Sequence, residues 1–249
     1  MKLEDFKNIY SNKPNKLAFL IGGAPSLFFQ DLNITKNYIT MAINSGIVGV
    51  PWANYYTSDD IGSSSWSYHK NLKDLNCTCF LYKDKLKNKA EHIKEDRKVF
   101  FDHTWWYSPE NNEYNLAGLK LNRSDNKVIG ARTSFASGLH LLFLMGFSFV
   151  VLLGNDCRCD KNGKRYFWEY YSKNKQPYRI KGIEFNERTK LLGFDSKSFI
   201  DYWRHFSENN KEILQNEFKI INCSDTPPEF NFFEKMSIEE VLEKYGDKK

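Results

Sequence analysis

The stretch Arg132-Thr-Ser-Phe-Ala-Ser-Gly-Leu-His-Leu-Leu-Phe-Leu-Met-Gly-Phe-Ser-Phe-Val-Val-Leu-Leu-Gly-Asn-Asp156 holds a helix, a turn and a strand in one run. Thr133 and Ser134 suit a helix start, because their hydroxyls accept from the free N–H groups of a first turn. Residues 135–145 are apolar on nearly every side, which predicts a helix sandwiched between layers. Gly146 stops that helix, and 147–153 is an unbroken apolar run of strand length. Such a run fits a central parallel strand buried on both faces. It ends in Gly154-Asn155-Asp156, and in open α/β sheets ligands gather at the carboxyl ends of strands. The stretch therefore predicts half of a binding crevice.

The other half is predicted near the N-terminus. Leu17–Ile21 reads as a first strand, followed by Gly22-Gly23-Ala24-Pro25-Ser26. Two glycines permit close backbone approach, Pro25 stiffens the turn, and Ser26 is placed to cap a helix from Leu27. A helix N-terminus after a glycine turn offers free N–H donors to phosphate; a tight structural turn is the competing explanation. Residues 38–43 form a second expected strand ending in Asn44-Ser45-Gly46. A third, 53–57, ends in Ser58-Asp59-Asp60. Each polar tip alone is ordinary turn chemistry. Four of them at strand ends predict an α/β domain whose mostly parallel sheet, helices on both faces, gathers its polar groups on one edge.

In order along the chain, Gly-x-x-Pro-Ser-Leu, Ala-x-Asn-Ser, Thr-Ser-x₄-Leu, Leu-x-Gly-x-Asp and a downstream Asn-Gly-x-x-Tyr-Phe resemble the bacterial lipo-oligosaccharide sialyltransferases that use CMP-sialic acid. They are similar as well to the wider superfamily of motility-associated-factor glycosyltransferases and 6-hydroxymethylpterin diphosphokinase-like proteins. The resemblance spans residues 17–171, with a weaker echo at Ile220-Ile-Asn-Cys-Ser224. It implies a Rossmann-like nucleotide-binding domain with a lid after the last matched strand.

Residue by residue, the resemblance implies nucleotide contacts at Gly22, Pro25 and Ser26, at Asn44, at Thr133 and Ser134, and at Gly154 and Asp156. Gly23, which stands where the family has a ligand-contacting asparagine, and Asp59, after the third strand, are counted among the expected nucleotide-binding residues, although a glycine cannot supply the asparagine's side-chain hydrogen bond. The family binds the departing phosphate with two tyrosines. Tyr166 matches the second, and Arg158 replaces the first, where a guanidinium grips phosphate bidentately. An exposed loop arginine is the alternative. The family's base is a histidine beyond the lid, and Phe194 aligns with it. His205, on a helix predicted over 198–214, is the nearest substitute. A carboxylate such as Asp59, Asp60 or Asp156, tuned by burial, is the other. His140 reads as a core imidazole, while His103, beside Trp105-Trp106-Tyr107, could line an acceptor site.

Composition sets outer limits. The 249 residues are 41% apolar and include 20 Phe, 14 Tyr and 6 Trp, enough for one domain spanning 1–249. No apolar run approaches membrane-spanning length, and the N-terminus lacks a signal-peptide pattern, so a cytoplasmic protein is expected. A net charge of +5 suits anionic ligands or a peripheral membrane contact, without the concentrated footprint of a dedicated nucleic-acid binder. Cys77-Thr-Cys79 and Cys157-Arg-Cys159 suggest a composite four-thiolate metal site, but the C-x-C spacing departs from zinc knuckles and no metal is expected. Residues 157–192, polar, aromatic and basic, read as a mobile lid that closes over a nucleotide. The sum is a glycosyltransferase acting on a nucleotide-sugar donor, CMP-type favoured, and a glycan or other hydroxyl acceptor, by metal-independent displacement. Two other classes stay open: an ATP-dependent pyrophosphokinase using Mg²⁺, and a non-catalytic nucleotide- or nucleic-acid-binding module.

Overall fold

The computed structural model describes residues 1–12, 17–105, 107–108, 113–114, 119–130, 133–180 and 196–246. Its strands are β1 (Leu17–Ile21), β2 (Ile39–Ile43), β3 (Tyr55–Ser58), β4 (Thr78–Tyr82), β5 (Lys98–Phe101), β6 (His103–Trp105), β7 (Tyr107–Ser108), β8 (Glu113–Tyr114), β9 (Val128–Gly130), β10 (Phe149–Leu153), β11 (Lys219–Asn222) and β12 (Glu234–Lys235). Eight of them form one parallel sheet in the order β12-β11-β10-β1-β2-β3-β4-β5. Two small pairs, β6 with β9 and β7 with β8, lie outside it. The α-helices are α1 (Ser67–Lys70), α2 (Lys83–Leu86), α3 (Ser134–Leu144), α4 (Ser196–Asn209), α5 (Lys211–Asn216) and α6 (Ile238–Tyr245).

The central strands have no polar face because both faces are covered. Alternation along β1 sends Ala18 and Leu20 into one core, with α3 and α4, and Leu17, Phe19 and Ile21 into the other. The second core is closed by α1, α6 and a series of 3-10 turns rather than by long helices. This is the α/β, Rossmann-like architecture expected. Thr133 caps α3 through a 3.3 Å bond from Phe135 N–H, and Gly146, at φ 95°, ends the turn beyond it. The helix is buried from Phe135 to Leu144, and His140, inside it, accepts from Ile129 N–H at 2.9 Å.

Two details differ from the sequence reading. The strand β4 was hidden by the charged residues around it; the lysine-rich stretch 83–98 that follows it holds α2 and two short 3-10 turns. The helix predicted over 198–214 is two helices parted at Asn210, whose side chain donates to Leu119 and Phe206 carbonyl oxygens and accepts from Leu121 N–H. The aromatic patch at 105–107, Phe194 and residues 181–192 of the expected lid lie outside the described residues or side chains.

Candidate functional site

Strand order reverses between β1 and β10: connections run to β2 on one side and to β11 on the other. A crevice opens at the carboxyl ends of the two strands on either side of such a reversal. Here those ends carry Gly22-Gly23-Ala24-Pro25-Ser26 and Gly154-Asn155-Asp156.

The glycines hold the two tips together. Gly22 N–H donates to Leu153 O at 2.8 Å, and Ala24 N–H donates to Gly154 O at 3.2 Å. A Cβ at Gly22 would lie 2.6 Å from Gly154 O and 2.5 Å from Phe135 Cζ. Gly154 itself sits at φ 64°, a left-handed conformation. Close approach is therefore required, as the sequence suggested, but the approaching groups at Gly22 belong to the protein.

The same correction applies to the turn that follows. Pro25–Phe29 is a 3-10 turn capped at Ala24, not a helix capped by Ser26. Ser26 instead donates both its N–H, at 2.8 Å, and its hydroxyl, at 2.5 Å, to the Asp156 carboxylate. Asp156 is 3% exposed, and burial raises its carboxyl from the ordinary 3.8 to about 6 against those two bonds. The anion seated on this turn is thus a side chain of the protein. The pattern repeats on the same edge. Asp59 accepts from the hydroxyls of Ser134 and Ser137 at the start of α3, and Glu240 closes a capping box with Ser237 at the start of α6. Carboxylates occupy all three helix or turn starts, where the backbone favours negative charge.

Ser26 and Asp156 line a cleft of about 580 Å³ whose other walls are Phe29, Arg158 and the tip of β11. That third tip was only an echo in the sequence. Ser224 accepts Asn155 N–H at 2.8 Å, and Asp225 accepts from Arg158 Nη2 at 3.1 Å. Arg158 is therefore at the cleft, half-exposed, and ion-paired rather than loose in solvent.

Beyond Arg158 the chain crosses the strand tips from β10 toward β3. Phe167 N–H donates to Gly23 O at 3.1 Å, Ser67 N–H to Tyr178 O at 2.9 Å, and Ile180 N–H to Ser65 O at 2.8 Å. Phe167 and Trp168 are buried beneath it. The described part of the expected lid is thus a docked strap. Tyr166 stacks on Trp168 at 4.9 Å and lies over Gly23.

Asn44, Ser134 and Asp59 form a second cluster, beside the Gly22–Phe135 contact. Asn44 stands at φ 48° and donates from Nδ2 to Ser134 Oγ at 3.2 Å, while Ser134 donates onward to Asp59. Ser137 joins Asp59 at 2.8 Å to His103 Nε2 at 3.3 Å. Burial raises the Asp59 carboxyl and lowers His103 to about 3. The hydroxyls and carboxylate predicted to touch nucleotide here are committed to one another. Ser137, which completes the group, was legible only as a small residue one turn after Ser134.

His205 is not at the site. On α4 it pairs with Glu208 at 3.6 Å, and Glu208 borders a groove shared with Ser148 and Phe218, at the amino ends of β10 and β11. A five-residue strand, roughly 16 Å, separates that edge from Asp156. The thiol pairs are also apart: Cys77 and Cys79 lie at the amino end of β4, 3.9 Å from each other, whereas Cys157 follows the carboxyl end of β10. Among the described residues no three His, Cys, Asp or Glu side chains converge on one point, and no helix is long and apolar enough to cross a membrane.

No protein-family model, curated protein or solved structure matches this chain.

Proposed function

We propose that this protein is a glycosyltransferase that takes a nucleotide-sugar donor, CMP-type, into the cleft between β1, β10 and β11. The observation that carries the reading is the meeting, in one cleft at the strand-order reversal, of a buried carboxylate near pKa 6 and an arginine, with Tyr166 of the strap over Gly23 at the adjoining β1 tip. Asp156 takes the role of base. At neutral pH it is mostly ionised, yet it sits close enough to its pKa to accept a proton efficiently. The acceptor hydroxyl gives that proton to Asp156 as its oxygen bonds to the anomeric carbon and the bond to the nucleotide phosphate breaks. Arg158, exchanging Asp225 for phosphate, and Tyr166 meet the charge that develops on the leaving group.

The carboxylates argue for this reading over Mg²⁺-ATP chemistry. Asp59 and Asp156 each accept two hydrogen bonds from the chain, and Asp60 caps Gly62 N–H at 2.8 Å. Isothermal titration with CMP, UDP and GDP tests the donor half: CMP is expected to bind. Folded protein that binds none of the three overturns it, and tight binding of Mg²⁺-ATP alone moves the assignment to diphosphate transfer.

Arg158→Ala is expected to lower turnover more than donor affinity, because the phosphate gains charge as the glycosidic bond breaks. A charge-assisted hydrogen bond of about 1.5–3 kcal/mol corresponds to roughly ten- to a hundred-fold in kcat. Arg158→Lys should recover part of it, keeping charge without the fork. An unchanged kcat in Arg158→Ala would leave this residue as no more than the partner of Asp225.

A further inference from the structure

Seven large hydrophobic side chains are exposed among the described residues, and five of them stand in segments that follow the carboxyl ends of strands: Phe28, Phe29, Ile61, Tyr166 and Tyr178. Phe29 is 71% exposed and Tyr178 is 68% exposed, so neither is packing a core. Phe28 stacks on Tyr170 of the strap at 4.9 Å and Phe29 meets the same ring edge-on at 5.4 Å, which ties the β1 turn and the strap into one aromatic ledge.

Charge is concentrated in the same place. Residues 157–180 contain seven Lys and Arg against two Asp and Glu, a surplus of five that equals the surplus of the whole chain. Lys161, Arg165, Lys173 and Lys175 are exposed. Both acidic residues of the strap are engaged locally, Asp160 with the Tyr170 hydroxyl and Glu169 with Arg165 N–H.

We infer that this edge of the molecule docks on an anionic membrane surface. Exposed aromatic tips lie at headgroup depth, and lysines and arginines around them are drawn to acidic headgroups. Neither feature alone is unusual on a protein surface; here the strap carries the net positive charge with Tyr166 and Tyr178, and its Tyr170 packs against Phe28 and Phe29 of the β1 turn. A bilayer held there would lie beside the mouth of the Asp156 cleft. The inference rests on exposure and charge and stands independently of the nucleotide reading.

Co-sedimentation with phosphatidylcholine vesicles containing about one-third phosphatidylglycerol, at low salt, tests it. The protein is expected to partition onto these vesicles and not onto pure phosphatidylcholine. Each basic side chain near an anionic surface is worth roughly five-fold, so Lys173→Glu with Lys175→Glu should lower partitioning on the order of 25-fold or more. Phe29→Ser should lower it roughly five-fold. All three positions are exposed, and circular dichroism establishes that the variants fold. Failure of the folded protein to bind anionic vesicles, equal binding to neutral ones, or binding that survives both variants overturns the inference. Displacement of vesicles by an oligothymidylate that binds the same residues also overturns it, and assigns the surface to single-stranded nucleic acid.

Discussion

Asp156→Asn is expected, in the proposed base role, to lower turnover by at least roughly a hundred-fold and, above pH 6, to make the protein more stable. Loss of a general base costs roughly 10²–10⁴-fold in rate. The geometry is retained: an asparagine oxygen still accepts Ser26 N–H, and its amide donates to a Ser26 hydroxyl that has only to rotate. The stability change has the opposite sign to the usual carboxylate case. The folded carboxyl titrates near 6 and the unfolded one near 3.8, so the native state holds its proton more tightly. Wild-type stability therefore falls as pH rises from about 4 through 6 and stays lowered above that. A shift of about two units corresponds to ~3 kcal/mol, which the neutral asparagine does not lose. Denaturation at pH 4 and pH 8 measures this: the variant should match wild type at the lower pH and exceed it at the higher. In wild type, kcat/KM should rise with a pKa near 6. Retained turnover in Asp156→Asn would remove the base assignment, and equal stability at both values would remove the buried charge.

Trp203→Ala carries the largest structural effect. Trp203 is fully buried on α4, with Tyr202, Phe206, Phe230 and Phe233 at centroid distances of 4.9, 5.7, 6.0 and 5.4 Å. It joins α4 to the chain between β11 and β12, and it lies against Cys157, the residue between Asp156 and Arg158. Truncation leaves a cavity ringed by aromatic side chains that are themselves locked in edge-on contacts, so little collapse is available. A cost of about 3–5 kcal/mol follows. That is a large fraction of the stability of an ordinary domain. Guanidinium titration should show a lower midpoint with an unchanged slope. Trp203→Phe should retain most of the stability. A loss below about 1 kcal/mol in Trp203→Ala would mean that α4 is anchored elsewhere.

Some of this molecule is legible without a structure. The apolar runs of β1 and β10, the all-round apolar helix α3, and the polar tips after β1, β2, β3 and β10 are local properties. A strand buried on both faces must be apolar throughout, and a ligand-bearing edge must be polar, whatever the rest of the chain does. The β11 tip, with Asn222, Ser224 and Asp225, followed the same rule.

Contacts between distant residues are not local, and there the structure alone decides. Ser26 and Asp156 are 130 residues apart, and Asp59 and Ser134 are 75 apart. Hydroxyls and carboxylates that each resemble ligand contacts in sequence satisfy one another once strand order brings their tips together, because a buried polar group without a partner is costly. Helix direction decides the fate of His205: α4 carries it away from the polar edge, and a histidine's position in the chain contains no record of which end of a sheet it will reach. The residue pattern predicts where polar groups gather; only strand order and helix direction determine which of them still face the cleft.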